Sequence, residues 1–170
     1  MKNKLQLFTL LCVIAIPQLV LADNAGTNYW GMETNGVQMS IRLASGESDI
    51  VVNQGVKLLV RFRNVSTNAA IYIYRRWVDS ADSYAGLSYQ ITSPSGQTLL
   101  PNNNILSGGS GGDNSLPPGR VIEYEFDLGK FCKFSEVGTY KIVATKSVTS
   151  NDKICKVVSN PLIILAVPSK

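Results

Sequence analysis

Histidine is absent from the 170 residues, cysteine occurs three times, and past residue 22 no apolar run approaches the length of a membrane span. The missing histidine removes the commonest general base, the Ser-His-Asp and Cys-His devices, and every His-ligated metal site. Methionine is scarce too, three residues with Met1 included, which disfavours a copper or other soft-metal carrier. Nor does any stretch beyond residue 22 repeat its apolar residues with the 3.6 period of a helix. The sequence therefore assigns no catalytic residue, metal ligand or cofactor, and the chain is expected not to be an enzyme.

What is present begins with a leader. Lys2 and Lys4 precede an apolar run over residues 5 to 16, then Pro17, then Val20-Leu21-Ala22, whose small residues suit signal peptidase. Residues 1 to 22 read as a signal peptide cleaved before Asp23, and residues 23 to 170 as one domain that is periplasmic or secreted. With Leu11 before Cys12, the small residue that lipidation requires is missing. Without Lys2 and Lys4 the formal charge falls from +4 to about +2, with no basic stripe suited to nucleic acid or anionic lipid. In an oxidising compartment the two remaining cysteines, Cys132 and Cys155, are expected to pair. Closing a loop of about 23 residues, the bridge would contribute about 3 kcal/mol.

The rest of the chain alternates with a period of two. Val37, Met39, Ile41 and Leu43 form one inward row, followed by a turn over residues 46 to 49. Val56, Leu58, Val60 and Phe62 form the next, set against Lys57, Leu59, Arg61 and Arg63. Residues 70 to 78 are β-branched and aromatic. Leu87, Tyr89 and Ile91 alternate before the Ser93-Pro94-Ser95-Gly96 turn, and Leu99-Leu100 continues that hairpin. Ile122, Tyr124 and Phe126 alternate with Glu123, Glu125 and Asp127, which places both glutamates on the solvent side rather than in a catalytic pair. Tyr140, Ile142 and Ala144 supply another strand, and residues 157 to 167, broken by Pro161, the last. Seven or eight short strands with turns between them predict an all-β, antiparallel sandwich.

Residues 101 to 119 break the pattern with Asn102, Asn103 and Asn104, a glycine-serine patch and Pro117-Pro118-Gly119, the composition of an exposed loop. Within it, Gly109, Gly111 and Asp113 nearly match one turn of a calcium-binding β-roll repeat. There is one copy, and Ser115 stands where that repeat needs an apolar residue. Ser150-Asn151-Asp152-Lys153 has the Ser-x-x-Lys spacing of penicilloyl-serine enzymes but falls between strands, where it reads as a hairpin tip. Asn64-Val65-Ser66 has the form of a glycosylation sequon. Tyr72, Tyr74, Arg76 and Trp77 combine the residue types of binding hot spots. On an open sheet face they would hold a carboxylate or a sugar ring; alternatively Trp77 and one tyrosine row fill the sandwich and an arginine covers its rim.

Glu136-Val137-Gly138-Thr139-Tyr140-Lys141-Ile142 resembles the corner before the penultimate strand of immunoglobulin-like domains. There a tyrosine hydroxyl bonds back to the backbone, a role the resemblance gives to Tyr140 after Gly138. Ile142 and Leu58 or Val60 stand where antibody-type domains carry inter-sheet cysteines, so the chain is similar to the cysteine-free sandwiches of bacterial secreted modules, including fibronectin type III-like ones. Trp30-Gly31, Asn35-Gly36, Arg63-Asn64-Val65-Ser66 and Val158-Ser159-Asn160-Pro161 resemble that set as well. The resemblance implies an exported, non-enzymatic module that binds a protein or a glycan at the cell envelope. Gly-Ser-Gly-Gly at 109 to 112 also echoes a loop of chagasin-like cysteine-protease inhibitors, which leaves a secreted inhibitor as the alternative.

Overall fold

A computed structural model describes residues 29 to 74, 87 to 99 and 113 to 169. The leader expected at residues 1 to 22 lies outside the described residues. The alternating segments form β1 (Val37–Leu43), β2 (Asp49–Val51), β3 (Lys57–Asn64), β4 (Ile71–Tyr74), β5 (Leu87–Thr92), β6 (Thr98–Leu99), β7 (Asp113–Leu116), β8 (Val121–Asp127), β9 (Gly138–Ser150), β10 (Lys153–Val158) and β11 (Leu162–Val167). A single 3₁₀ turn, Leu128–Lys130, follows β8. Among the described residues no helix is long and apolar enough to cross a membrane.

Two sheets face one another. The first has the order β1-β3-β8; the second is built around the long strand β9, which β10, β11, β4 and β5 flank, with β2, β6 and β7 at the margins. Among the described residues all strand pairings are antiparallel except β2 with β11, which is parallel, as is the isolated Met39–Ser159 bridge. The inward rows predicted from alternation meet in one core: Met39, Ile41, Leu58, Val60 and Phe62 from the first sheet, and Tyr140, Ile142, Ala144, Ile164 and Ala166 from the second, each at most 1% exposed. The molecule is therefore an all-β sandwich, as alternation with a period of two requires when one face of each sheet is buried.

The strand count among the described residues is eleven rather than seven or eight because the last expected strand, broken by Pro161, is two, β10 and β11, and because two short strands carry no alternation of their own. Three-residue β2 begins inside the expected turn at 46 to 49 and exists because Asp49 to Val51 pair with Leu165 to Val167. Four-residue β7 lies inside the expected loop at 101 to 119 and is formed by pairing with β4. Both are edge strands whose partner, rather than their own composition, decides their conformation.

Turn chemistry fixes the connections. Asn151 and Asp152, at φ 49° and 56°, make the β9–β10 hairpin tip read from the sequence, since these short polar side chains tolerate the left-handed region. Gly31 admits no side chain: a Cβ there would lie 2.1 Å from the Val158 carbonyl oxygen. That close approach lets the Gly31 amide donate to the Met39 carbonyl at 2.8 Å, pinning the residues before β1 across its edge. Gly138 has φ +131°, and a Cβ would meet the Pro94 side chain at 2.9 Å.

Candidate functional site

Cys132 and Cys155 are both free thiols, so the bridge expected from their number is not formed. Cys155 stands opposite Val148 in the β9–β10 ladder, whereas Cys132 is two residues from Phe134, whose ring packs edge-on to Tyr140 at 5.0 Å. Val148 lies eight positions along β9 from Tyr140, on the order of 25 Å at about 3.3 Å per residue. A disulfide needs Cα atoms within about 7 Å. Spacing in sequence placed the cysteines on neighbouring elements, and the length of β9 puts them toward opposite ends of it.

At the corner, the Glu136 amide donates to the Tyr140 hydroxyl at 2.9 Å, and the Tyr140 ring lies in the core. The Ser95 amide and hydroxyl both donate to the Glu136 carboxylate at 3.3 Å, which ties the corner to the turn after β5. The sequon at Asn64 is structural. Its side chain is fully buried, with Nδ2 donating to the Ala69 and Leu116 carbonyls at 2.8 Å and Oδ1 accepting from Ser66. An amide nitrogen so buried and engaged leaves no room for a glycan in this fold.

Of the aromatic-arginine segment, β4 carries two members. Tyr72 is 45% exposed between buried Ile71 and Ile73 and pairs with Ser115 on one side and Thr149 on the other. Tyr74 stands opposite Asp113 in the β4–β7 register, which brings two of the singled-out positions together. Arg76, Trp77, Gly109 and Gly111 lie outside the described residues.

The structure builds a different aromatic-arginine cluster on the outer face of the first sheet. Alternation turns Gln38, Ser40 and Arg42 of β1, Arg61 and Arg63 of β3, and Glu123 and Glu125 of β8 outward in facing rows. Over them lies Trp30, with the Arg63 guanidinium 4.7 Å and the Arg61 guanidinium 5.1 Å from its ring centre. Arg63 also donates to the Gln38 side-chain oxygen, and Gln38 in turn donates to the Gly31 carbonyl at 3.3 Å. Arg61 pairs with Glu123 at 3.2 Å, and the more exposed Arg42 lies 3.8 Å from the same carboxylate. Each guanidinium is thus oriented by an aromatic face, a carboxylate or an amide, an arrangement that favours planar arginine over lysine. Arg61 and Arg63 are legible in the sequence as outward neighbours on one strand. Trp30 is more than thirty residues away and reaches them only through the pinned chain at Gly31.

Beside this platform, β1 and β11 part enough to leave a cavity of about 110 Å³, lined by Tyr29, Arg42, Glu47, Arg61, Asn160 and the apolar residues of both strands. Asn160 spans the gap, with Oδ1 accepting from the Ile41 amide at 3.0 Å and Nδ2 donating to the Ile41 carbonyl at 3.4 Å. This side chain caps the open edge of β1 as a neighbouring strand would.

Elsewhere, the hydrogen bond from Lys57 to Glu125 at 2.7 Å raises the lysine above its ordinary value. Burial pushes up the Cys132 thiol and carries the Tyr89 phenol well above its usual range; that hydroxyl has no partner among the described residues. Lys146 belongs to the inward row of β9 and is 2% exposed, and desolvation brings its ammonium down to about 8. Nothing in the alternation of apolar residues announces a lysine inside the sandwich. Among the described residues no group of three potential ligands could hold a metal ion.

The class this geometry defines is a two-sheet β-sandwich with a tyrosine-bonded corner and an aromatic-arginine outer face. No family model matches the chain, and no curated protein matches it in sequence. Among solved structures it is similar to the Northeast Structural Genomics Consortium target SoR45, at 12% identity and a TM-score of 0.50, over 79% of this chain and 90% of that one. It also superposes on the CARDB domain of a Pyrococcus furiosus protein in complex with di-metal ions, at 14% identity and a TM-score of 0.42, over 81% and 92% of the chains. A third is the C-terminal domain of Wzt, at 13% identity and a TM-score of 0.45, over 82% and 78%. At these identities the likeness concerns fold alone, and of the three the first is close enough to bear on it.

Proposed function

We propose that the chain is an exported, non-enzymatic binding module of the immunoglobulin-like sandwich type, acting at the cell envelope on a protein or glycan partner. The observation that carries this reading is the Trp30 platform: an indole stacked on two oriented guanidiniums, beside a cavity, on the outer face of a sheet. Tryptophan and arginine held in place before a partner arrives lose little conformational freedom on binding, which is why they dominate binding hot spots. The leader of residues 1 to 22 supports export, and the cleaved chain would begin at Asp23.

The test uses tagged protein incubated with solubilised envelope and captured under native conditions. Wild-type protein should retain material, scored for both polypeptide and carbohydrate, that Trp30→Ala and Arg63→Ala variants of unchanged melting temperature release. Equal retention by the variants, or none above a tag control, would overturn the reading. N-terminal sequencing of the protein from a fractionated host checks export separately.

A further inference from the structure

We infer that the cavity between β1 and β11 receives a single sugar ring of an uncharged glycan. This rests on the binding-module reading and narrows it from protein or glycan to one ligand chemistry. Size comes first. At about 110 Å³ the cavity is well below the roughly 300 Å³ at which sites for drug-sized ligands begin, so it admits one ring and not a folded peptide segment.

The lining matches a sugar's two-sided character. A pyranose has an apolar face of C–H groups and a rim of hydroxyls that both donate and accept. Tyr29, 51% exposed at the mouth, offers an aromatic face, and half-buried Ile163 an apolar wall. Arg42 and Glu47 supply planar donor and acceptor groups of the kind that bind adjacent hydroxyls in pairs.

Charge decides between neutral and ionic ligands. Arg42, Arg61 and Glu47 line the cavity, and Glu123 behind it pairs with both guanidiniums, so carboxylates balance the arginines and the site favours neither a uronate nor an amino sugar. Arg42 is also available: its side chain is 54% exposed and lies 3.8 Å from Glu123, a separation at which a surface ion pair costs little to exchange for a hydroxyl. The walls are set in advance, Arg61 between Trp30 and Glu123 and β1 held by Asn160, so binding a ring requires little reorganisation.

The experiment is saturation-transfer NMR on the full protein, followed by calorimetry. The probes are uncharged disaccharides of glucose, galactose, mannose, rhamnose and N-acetylglucosamine, with digalacturonate and glucosamine disaccharide as charged arms. At least one uncharged probe should bind, and Tyr29→Ala and Arg42→Ala should each weaken it about tenfold. Lys153→Ala, at the hairpin tip, should bind as wild type does. Transfer from no probe, transfer from charged probes alone, or affinity unaltered in both cavity variants would overturn the inference. Should envelope capture by the Trp30 platform persist in any of those cases, the binding-module reading stands and the sugar assignment alone falls.

Discussion

Lys146 gives the sharpest test of the packing. Its side chain occupies the inward row of β9 between Ala144 and Val148, and desolvation lowers its ammonium from 10.5 to about 8. At about 1.4 kcal/mol per tenfold change in proton affinity, the drop corresponds to a burial cost of about 3 kcal/mol. Below about pH 8 the lysine is protonated in both folded and unfolded chains, and that cost is fully present. Between about 8 and 10.5 the unfolded chain keeps a proton that the folded protein has shed, so stability rises with pH. From about pH 7 to about pH 9 the gain is about 1 kcal/mol. Cys132 acts in the opposite sense, because its raised thiol holds a proton that the unfolded chain begins to lose near pH 8.5. Comparing wild type with Lys146→Met removes that shared contribution. Urea unfolding at the two pH values should show wild type gaining about 1 kcal/mol more than the variant. Equal pH dependence within about 0.3 kcal/mol would refute the claim that burial governs this lysine.

Three further outcomes follow from the same contacts. Tyr140→Phe leaves the Glu136 amide without its acceptor and should cost about 1 to 2 kcal/mol in denaturant unfolding with the core ring unchanged. Asn64→Ala strands the buried Leu116 carbonyl and the Ser66 amide, while Ala69 keeps its bond from the Ser66 hydroxyl; a loss of about 3 kcal/mol is expected, and a loss below about 1 would mean water replaces the side chain. Without any reductant, Cys132 and Cys155 should resist alkylation in native protein and both alkylate after unfolding, read by peptide mass spectrometry, and a thiol reductant should leave the melting temperature unaltered.

Alternation carried most of the strand assignments because a sheet with one buried face repeats its environment every second residue, a rule that β3, β8 and β11 follow closely. It failed where a residue's surroundings come from another part of the chain. β2 and β7 have no pattern of their own, and the cysteines' separation depends on how far β9 extends. The site divides likewise. Tyr72 emerges outward as its buried neighbours Ile71 and Ile73 require, while the Trp30 platform needed the Gly31 contact to bring a distant ring over β3.

The amino-acid order alone determined that this protein is all-β, which faces its strands bury, and that histidine chemistry is closed to it, since each depends on residue type and local period. Tertiary structure alone decided that two thiols stay apart, that a lysine lies in the interior, that a sequon asparagine is a buried tie, and that an indole rests on two arginines. Those depend on distances between segments far apart in the chain, and such distances are set by the sheets closing over a common core, not by any run of neighbours.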